Sequence, residues 1–378
     1  MGASAPHGSP VPGPPFRAEH IGSLLRPRAL KDAATAHRRG EVSYEDYLEV
    51  LDQSVVAAVS LQENCGLQVV TDGELGRTSW FGFFFERLDG FSVGDSLFDF
   101  HDDAGNTFQW QTAYCDAPMR RHGPIAVSEF ERLAAATRRT PKANLPSPSV
   151  LHFFRGEGCR DPAVYPDIDA WWDDLVAIYR AEIADLAAAG CRYLQLDEVP
   201  LAMLCDDGVR DRLAAGGVDP DGLAATYVDV TNRILEGRPG GMVVGMHLCR
   251  GNFRSRWMAR GGYEPVAERL FGDLDIDAYF LEYDSERAGD FRPLRHVRPG
   301  VAVVLGLVST KQPALEDSDA LLARIDEAAT IVDADHLALS PQCGFASVAG
   351  GNTLDEADQE AKLRLVVATA DRAWGTVS

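Results

Sequence analysis

The feature that most constrains this chain is a recurrence. Short apolar runs, most of them rich in β-branched or aromatic residues, return along the sequence with helix-like stretches between them. "FRAEHIGS" ends near Ser23, "GLQVVTDGE" at Glu74, "KANLPSPS" near Ser149 and "CRYLQLDE" at Glu198. "GMVVGMHLC" ends at Cys249, "IDAYFLEYD" at Asp284, "GVAVVLGLVS" at Ser309 and "DHLALSPQCG" at Gly344. The intervening stretches include "YEDYLEVLDQSVVAAVSLQENCG", "IDAWWDDLVAIYRAEIADLAAAG" and "SDALLARIDEAATIVDA". Two of these close on a glycine in the C-cap position with a strand after it. Eight strands alternating with helices predict an α/β fold, a (β/α)8 TIM barrel, with a doubly wound open sheet as the structural competitor. The barrel is preferred because chemically capable side chains gather at the C-terminal ends of nearly every run, where barrel enzymes build their sites. Residues 88–140 break the rhythm. Their turn residues and period-two alternation predict a β-rich excursion after strand 2, a hairpin or two capping the barrel mouth. The opening "MGASAPHGSPVPGPP" is small and Pro/Gly-rich without an apolar core. It predicts a disordered tail over residues 1–15 rather than a signal peptide, leaving 16–378 as one catalytic domain.

Charge narrows the partners. Lys and Arg number 36 against 57 Asp and Glu, a net charge of −21. Such a field repels nucleic acid and anionic membranes and leaves small molecules as the expected partners, with a homo-oligomer open. No run reaches the length of a membrane span. The seven cysteines are odd in number and scattered. That pattern suits a reducing compartment, so the expected location is cytoplasmic, with thiols serving as filler, ligands or nucleophiles.

The stretch "MHLCRGN" places His247 and Cys249 two residues apart at the end of an apolar run. In a strand that spacing turns both side chains the same way. Cys343 in "LSPQCGF" and Glu282 in "YFLEYD" end two other runs. A glutamate there is costly to bury without a positive partner. One histidine, two cysteines and a glutamate converging from strands five, six and eight suit Zn²⁺ as a metal cofactor. The plainer alternative is two core cysteines, a capped glutamate and a packed histidine.

Taken in order, "AEHIGSLLRP", "LQLDEVP", "HLCRGNF", "LEYD" and "LSPQCGF" resemble the cobalamin-independent methionine synthase family, and most closely its single-barrel members. The similarity runs from Phe16 over nearly the whole chain. It implies His247, Cys249, Glu282 and Cys343 as zinc ligands and catalytic residues. It further implies Ile21, Gly22 and Ser23 as the cradle for a homocysteine carboxylate, and Glu74 and Asp197 as acceptors for its ammonium. The implied reaction is zinc-dependent transfer of a methyl group to a thiol, homocysteine to methionine. Coordination strips the thiol proton and keeps the sulfur nucleophilic.

Two departures from the family pattern bear on the donor. The chain has one barrel where the longer synthases have two, and "LGLVSTKQP" carries Ser309 and Thr310 where the family has a proton-donating histidine. Both put a folate donor in doubt. Lys311 reads as a solvated loop lysine. Arg250, Arg254, Arg256, His20, Arg26, Asn252 and Ser309 are candidate anion or donor contacts near the mouth. "WFGFFFER" reads as helix packing rather than pocket wall, and Trp171 and Trp172 as core. Two other functions compete. One is another zinc-dependent thiol alkyltransferase, such as an epoxyalkane–coenzyme M transferase. The other is a non-catalytic barrel with structural zinc.

Overall fold

The computed structural model describes residues 15–101 and 105–375. The tail expected over residues 1–15 therefore lies outside the described residues, apart from Pro15. In chain order the strands are β1 (Val69–Val70), β2 (Leu88–Asp95), β3 (Phe100–His101), β4 (Thr107–Phe108), β5 (Gln111–Arg121) and β6 (Thr140–Pro141). They continue with β7 (Ala143–Pro146), β8 (Tyr193–Glu198), β9 (Val243–Leu248), β10 (Ala278–Glu282), β11 (Ala302–Val308) and β12 (Leu337–Pro341).

Strands β7 to β12 form one six-stranded parallel sheet in sequential order. Every residue of β7, β8, β10 and β12 is buried. That is why these runs read as continuously apolar: a parallel strand covered on both faces has no solvent side to mark with polar residues. Helices cross between successive strands, among them Ile168–Ala188, Pro220–Leu235 and Ser318–Ala329. Each starts on an aspartate, Asp167, Asp219 or Asp317, whose carboxylate accepts first-turn backbone N–H groups. Trp171 and Trp172 are buried in the core, as their apolar helix predicts.

The backbone ladder is continuous over six strands, not the eight expected. At the β12 edge only a single parallel bridge, Ala18 to Leu339, adds the first run. At the other edge β6 leads into β7 and pairs in parallel with the two-residue β1. The first run and β1 meet through Thr71 Oγ1 donating to Gly22 O (2.7 Å) and Leu24 N–H donating to Gly73 O (3.0 Å). These runs are cut short because Gly22 (φ 145°) and Gly73 (φ 71°) turn the chain where a ladder would continue.

The stretch expected as a β-rich excursion contains antiparallel pairs and, in addition, a helix. β2 pairs antiparallel with β5, β3 with β4, and helix Val127–Ala136 follows. Inside the β2–β5 pair a bulge falls at Gly90, whose φ is 92°. A Cβ there would lie 2.5 Å from Ala117 O, so only glycine fits.

Candidate metal and substrate site

His247 stands near the end of β9, Cys249 one residue past it and Cys343 two residues past β12. The ligand-capable atoms of the three all lie within 4.8 Å of one another, and all three residues are buried. The two sulfurs are 3.5 Å apart, and every cysteine in the chain is free. Two thiolates about 2.3 Å from one tetrahedral ion would stand about 3.8 Å apart, so the observed pair needs little adjustment. His247 Nδ1 faces Phe280 O at 3.4 Å, and Nε2 is buried with no hydrogen-bond partner among the described residues. With the Nδ1 proton directed at that carbonyl, the Nε2 lone pair is left for another acceptor of electrons. The Cys249 thiol donating to Cys343 draws the Cys343 thiol well below its ordinary range, with His247 adding to the effect. The same hydrogen bond, with burial, pushes Cys249 well up. Two buried soft donors, an orphaned imidazole nitrogen and a shared proton fit a zinc ion.

Glu282 is not in this group. Its Oε2 accepts the Arg250 N–H (2.9 Å), while Oε1 faces Lys311 Nζ at 3.3 Å and Arg287 at 3.6 Å. Burial works against its charge, yet Lys311 and Arg250 hold the carboxyl below its usual range. Lys311 is correspondingly no solvated loop lysine: its side chain is 11% exposed, and its pKa is raised because Glu282 and Asp284 outweigh burial.

One cavity of about 280 Å³ joins the sulfurs to most of the expected substrate residues, since Ile21, Ser23, Glu74 and Asp197 line it together with His247, Cys249 and Cys343, and so does Asn252, expected as an anion or donor contact. Gly22 lies just behind the lining. A Cβ there would sit 2.5 Å from Asn144 Nδ2 and 3.3 Å from Glu74 Oε1. Gly344 packs as tightly, since a Cβ would fall 1.9 Å from Ser23 Oγ. Glu74 sits at φ 55°, with Asp72 Oδ1 accepting its N–H (2.9 Å), and burial pushes its carboxyl up to about 8. Asp197 is also raised by burial, and Gln195 Nε2 orients it by donating to Oδ1 (2.7 Å). Glu198, another lining residue, is raised to about 7 by burial although the Ser147 and Ser149 hydroxyls donate to it.

Several expected anion contacts are placed elsewhere. The Arg26 guanidinium is spent on four carbonyl oxygens, those of Glu74, Arg77, Ala346 and Val348. Arg250 is fully buried over the Tyr263 ring and donates to Gly261 O, Tyr263 Oη and Glu282 O. His20 is buried and kept neutral by burial and by Lys142, which pairs with Glu19 at 3.3 Å. The Ser309 hydroxyl donates to Asp284 (2.7 Å). Arg256 stacks over Phe108, and neither it nor Arg254 is among the lining residues. Burial decides these cases: a long cation drawn beneath the surface satisfies itself on carbonyls before it can read a ligand.

The aromatic run has two roles where sequence reading gave it one. Phe83 and Phe84 pack inward, Phe84 stacking on Tyr179 (4.4 Å), but Trp80, Phe81 and Phe85 line the cavity. Phe100 and Trp110 from the excursion join them. A stretch in which nearly every residue is aromatic carries no phase, so periodicity cannot separate core from wall.

Over residues 16–371 the sequence matches the family model of the cobalamin-independent synthase catalytic domain. It is 39% identical over 365 residues, 95% of each chain, to the uncharacterized protein YxjH of Bacillus subtilis (strain 168). Among solved structures it resembles the "Putative Vitamin-B12 Independent Methionine Synthase" from Listeria monocytogenes, with a TM-score of 0.75 and 33% identity over 96% of this chain and 98% of that one. A B12-independent methionine synthase from Shewanella sp. W3-18-1 shares the fold, with a TM-score of 0.71 at 19% identity over 94% and 97%.

Proposed function

The chain belongs to the cobalamin-independent synthase family, as a methyltransferase of the methionine synthase type, and on that premise we propose that it moves a methyl group onto the thiol of homocysteine, with zinc held by His247, Cys249 and Cys343. One observation carries the reading: this buried trio opens into the same cavity as Ser23, Glu74 and Asp197. Zinc held there supplies a position at which a thiol loses its proton near neutral pH and stays nucleophilic. Asp197, aimed by Gln195, and Glu74 accept from the substrate ammonium. Ser23 Oγ already accepts the Ala346 N–H (3.3 Å), so its proton is left for the substrate carboxylate. Glu282 and Lys311 neutralise each other beside the trio. The aromatic wall keeps water from the remaining side of the thiol.

The same proposal extends to the architecture. The Ala18–Leu339 bridge and the Gly22–Thr71 contact support reading the six-stranded sheet and its two short edges as a (β/α)8 barrel, with the site at its C-terminal mouth.

Elemental analysis of the purified protein beside Cys249→Ser and Cys343→Ser tests the metal, with circular dichroism to follow the fold and calorimetry to follow homocysteine. We expect about one zinc per chain in the wild type, and loss of most of it in both variants with the fold retained. Homocysteine affinity should fall with the metal. A protein that takes up no zinc on reconstitution yet binds homocysteine as before would overturn the thiolate mechanism.

A further inference from the structure

Behind the sulfurs, Lys311 Nζ and Glu282 Oε1 face each other at 3.3 Å, the carboxylate fully buried. Neither residue lines the cavity. The loop that carries Lys311 is pinned. Gln342 Oε1 accepts the Thr310 N–H (2.7 Å), Thr310 Oγ1 donates to Gly344 O (3.1 Å), and Asn352 Nδ2 donates to Thr310 O (2.8 Å). Gln342 and Gly344 flank Cys343, so the ammonium is fixed relative to the loop that supplies one sulfur. Glu282 follows Leu281, which pairs with Leu248, just as Cys249 follows Leu248. The carboxylate and the other sulfur therefore leave neighbouring strands at one level.

We infer that Lys311 is a positioning residue that competes with the metal for Glu282, and so sets how readily a substrate thiol takes the exchangeable position on the zinc. The inference rests on the zinc–thiolate reading above. A buried carboxylate must be paired wherever it stands. Glu282, expected from the sequence as a fourth ligand, would find one partner in an ion on the His247–Cys249–Cys343 trio and has another in Lys311. The lysine gives the carboxylate somewhere to go, which is what an exchangeable ligand position requires. Because neither side chain faces the cavity, any effect of Lys311 on the substrate passes through Glu282 and the metal.

The exchange balances. A metal–carboxylate contact gives way to a metal–sulfur bond, the thiol proton passes to solvent, and the carboxylate charge comes to rest on the Lys311 ammonium. Without that ammonium the released carboxylate would keep only the Arg250 N–H (2.9 Å) and Arg287 at 3.6 Å. Its release would be harder, and the thiol would have to work against it. Removing the lysine raises the free energy of the metal-free and thiol-bound states, in which Glu282 is off the metal, and spares the state in which Glu282 holds it. Zinc affinity and thiol affinity must then move in opposite directions. A pair that served folding alone would, when broken, weaken both.

Two titrations on the full chain decide it: zinc against a competing chelator, and homocysteine into the zinc-loaded protein by calorimetry, with circular dichroism following the fold. Lys311→Gln, which keeps a donor for Oε1 but no charge, should bind zinc roughly tenfold more tightly and homocysteine roughly tenfold more weakly. Lys311→Arg, which keeps the charge, should stay close to the wild type in both. In a Glu282→Gln background, Lys311→Gln should change neither affinity, and that comparison decides the question even if the single variant fails to fold. Loss of both affinities in Lys311→Gln, no change in either, or the same effects with and without Glu282 would overturn the inference and leave a structural ion pair. A zinc-loaded protein that binds no homocysteine would remove the acceptor reading instead, and the zinc titration would still decide Lys311. A wild type that takes up no zinc would overturn both readings.

Discussion

At Glu74, backbone, burial and charge all run against what a glutamate prefers. Its left-handed conformation (φ 55°) costs about 1–2 kcal/mol in a residue with a Cβ. Burial pushes its carboxyl up to about 8, Asp197 and Asp72 adding to the effect and Arg77, 3.8 Å away, opposing it. Strain of this kind persists where the surroundings fix it, here the Asp72 carboxylate accepting the Glu74 N–H and the packing of Gly22. A substrate ammonium beside Glu74 would favour its ionised form. Affinity for methionine, a ligand with no thiol to titrate, should therefore rise between about pH 6 and pH 8, by up to about tenfold per unit. Glu74→Gln should bind more weakly at pH 8 and show a flat profile. Calorimetry across that range checks both, and a wild-type profile as flat as the variant's would remove Glu74 from the ammonium site.

Strand β11 links the elements that carry the site. A Cβ on Gly306 would lie 2.6 Å from Leu281 O on β10 and 2.8 Å from Gln342 Cα beside Cys343. Both obstacles are backbone, so neither can swing aside. Gly306→Ala should cost about 1–3 kcal/mol in urea unfolding and weaken zinc retention by shifting Cys343, whereas unchanged stability would mean the sheet yields freely there. Strands β8 to β12 were legible in the sequence because a doubly covered strand must be apolar until it leaves the core. Their ends consequently announced His247, Cys249 and Cys343. The first run and β1 were less legible, since their shortness comes from turns at Gly22 and Gly73 that a hydrophobic pattern does not register. The placing of Glu282 outside the three-residue cluster was not legible at all. It depends on Lys311, Arg287 and the Arg250 N–H, which reach it from three separate loops. The partners of Arg26 and Arg250 were hidden for a related reason, because composition shows a cation but not the carbonyls it will meet.

For the whole molecule, burial sets the pH dependence of stability. Glu19, Asp72, Glu74, Asp197, Glu198 and Asp284 are all raised by burial, to about 7 at Glu198 and about 8 at Glu74. A carboxyl raised on folding holds its proton longer in the native state than in the unfolded chain. Its contribution is complete below the unfolded value and is lost as pH rises through the folded one. His152, lowered by burial to about 4, works in reverse: its contribution is present above about 6.5 and is lost as pH falls. The two sets oppose each other below about pH 6.5; above it His247, raised against burial chiefly by Cys343, works with the carboxyls, and Cys343, lowered, works against them. The folded protein should therefore lose stability from about pH 6.5 to pH 8, by up to about 1.4 kcal/mol per unit for each proton released. The measurement is urea unfolding in the presence of a chelator, because zinc on cysteine thiolates binds more tightly as pH rises and would mask the slope with one of opposite sign. Glu74→Gln, neutral at every pH, should remove much of the loss between about pH 7 and pH 8, and Glu198→Gln the part centred near pH 7. A wild-type protein that grows more stable over this interval with the chelator present would mean that its buried carboxyls ionise as freely in the fold as in water.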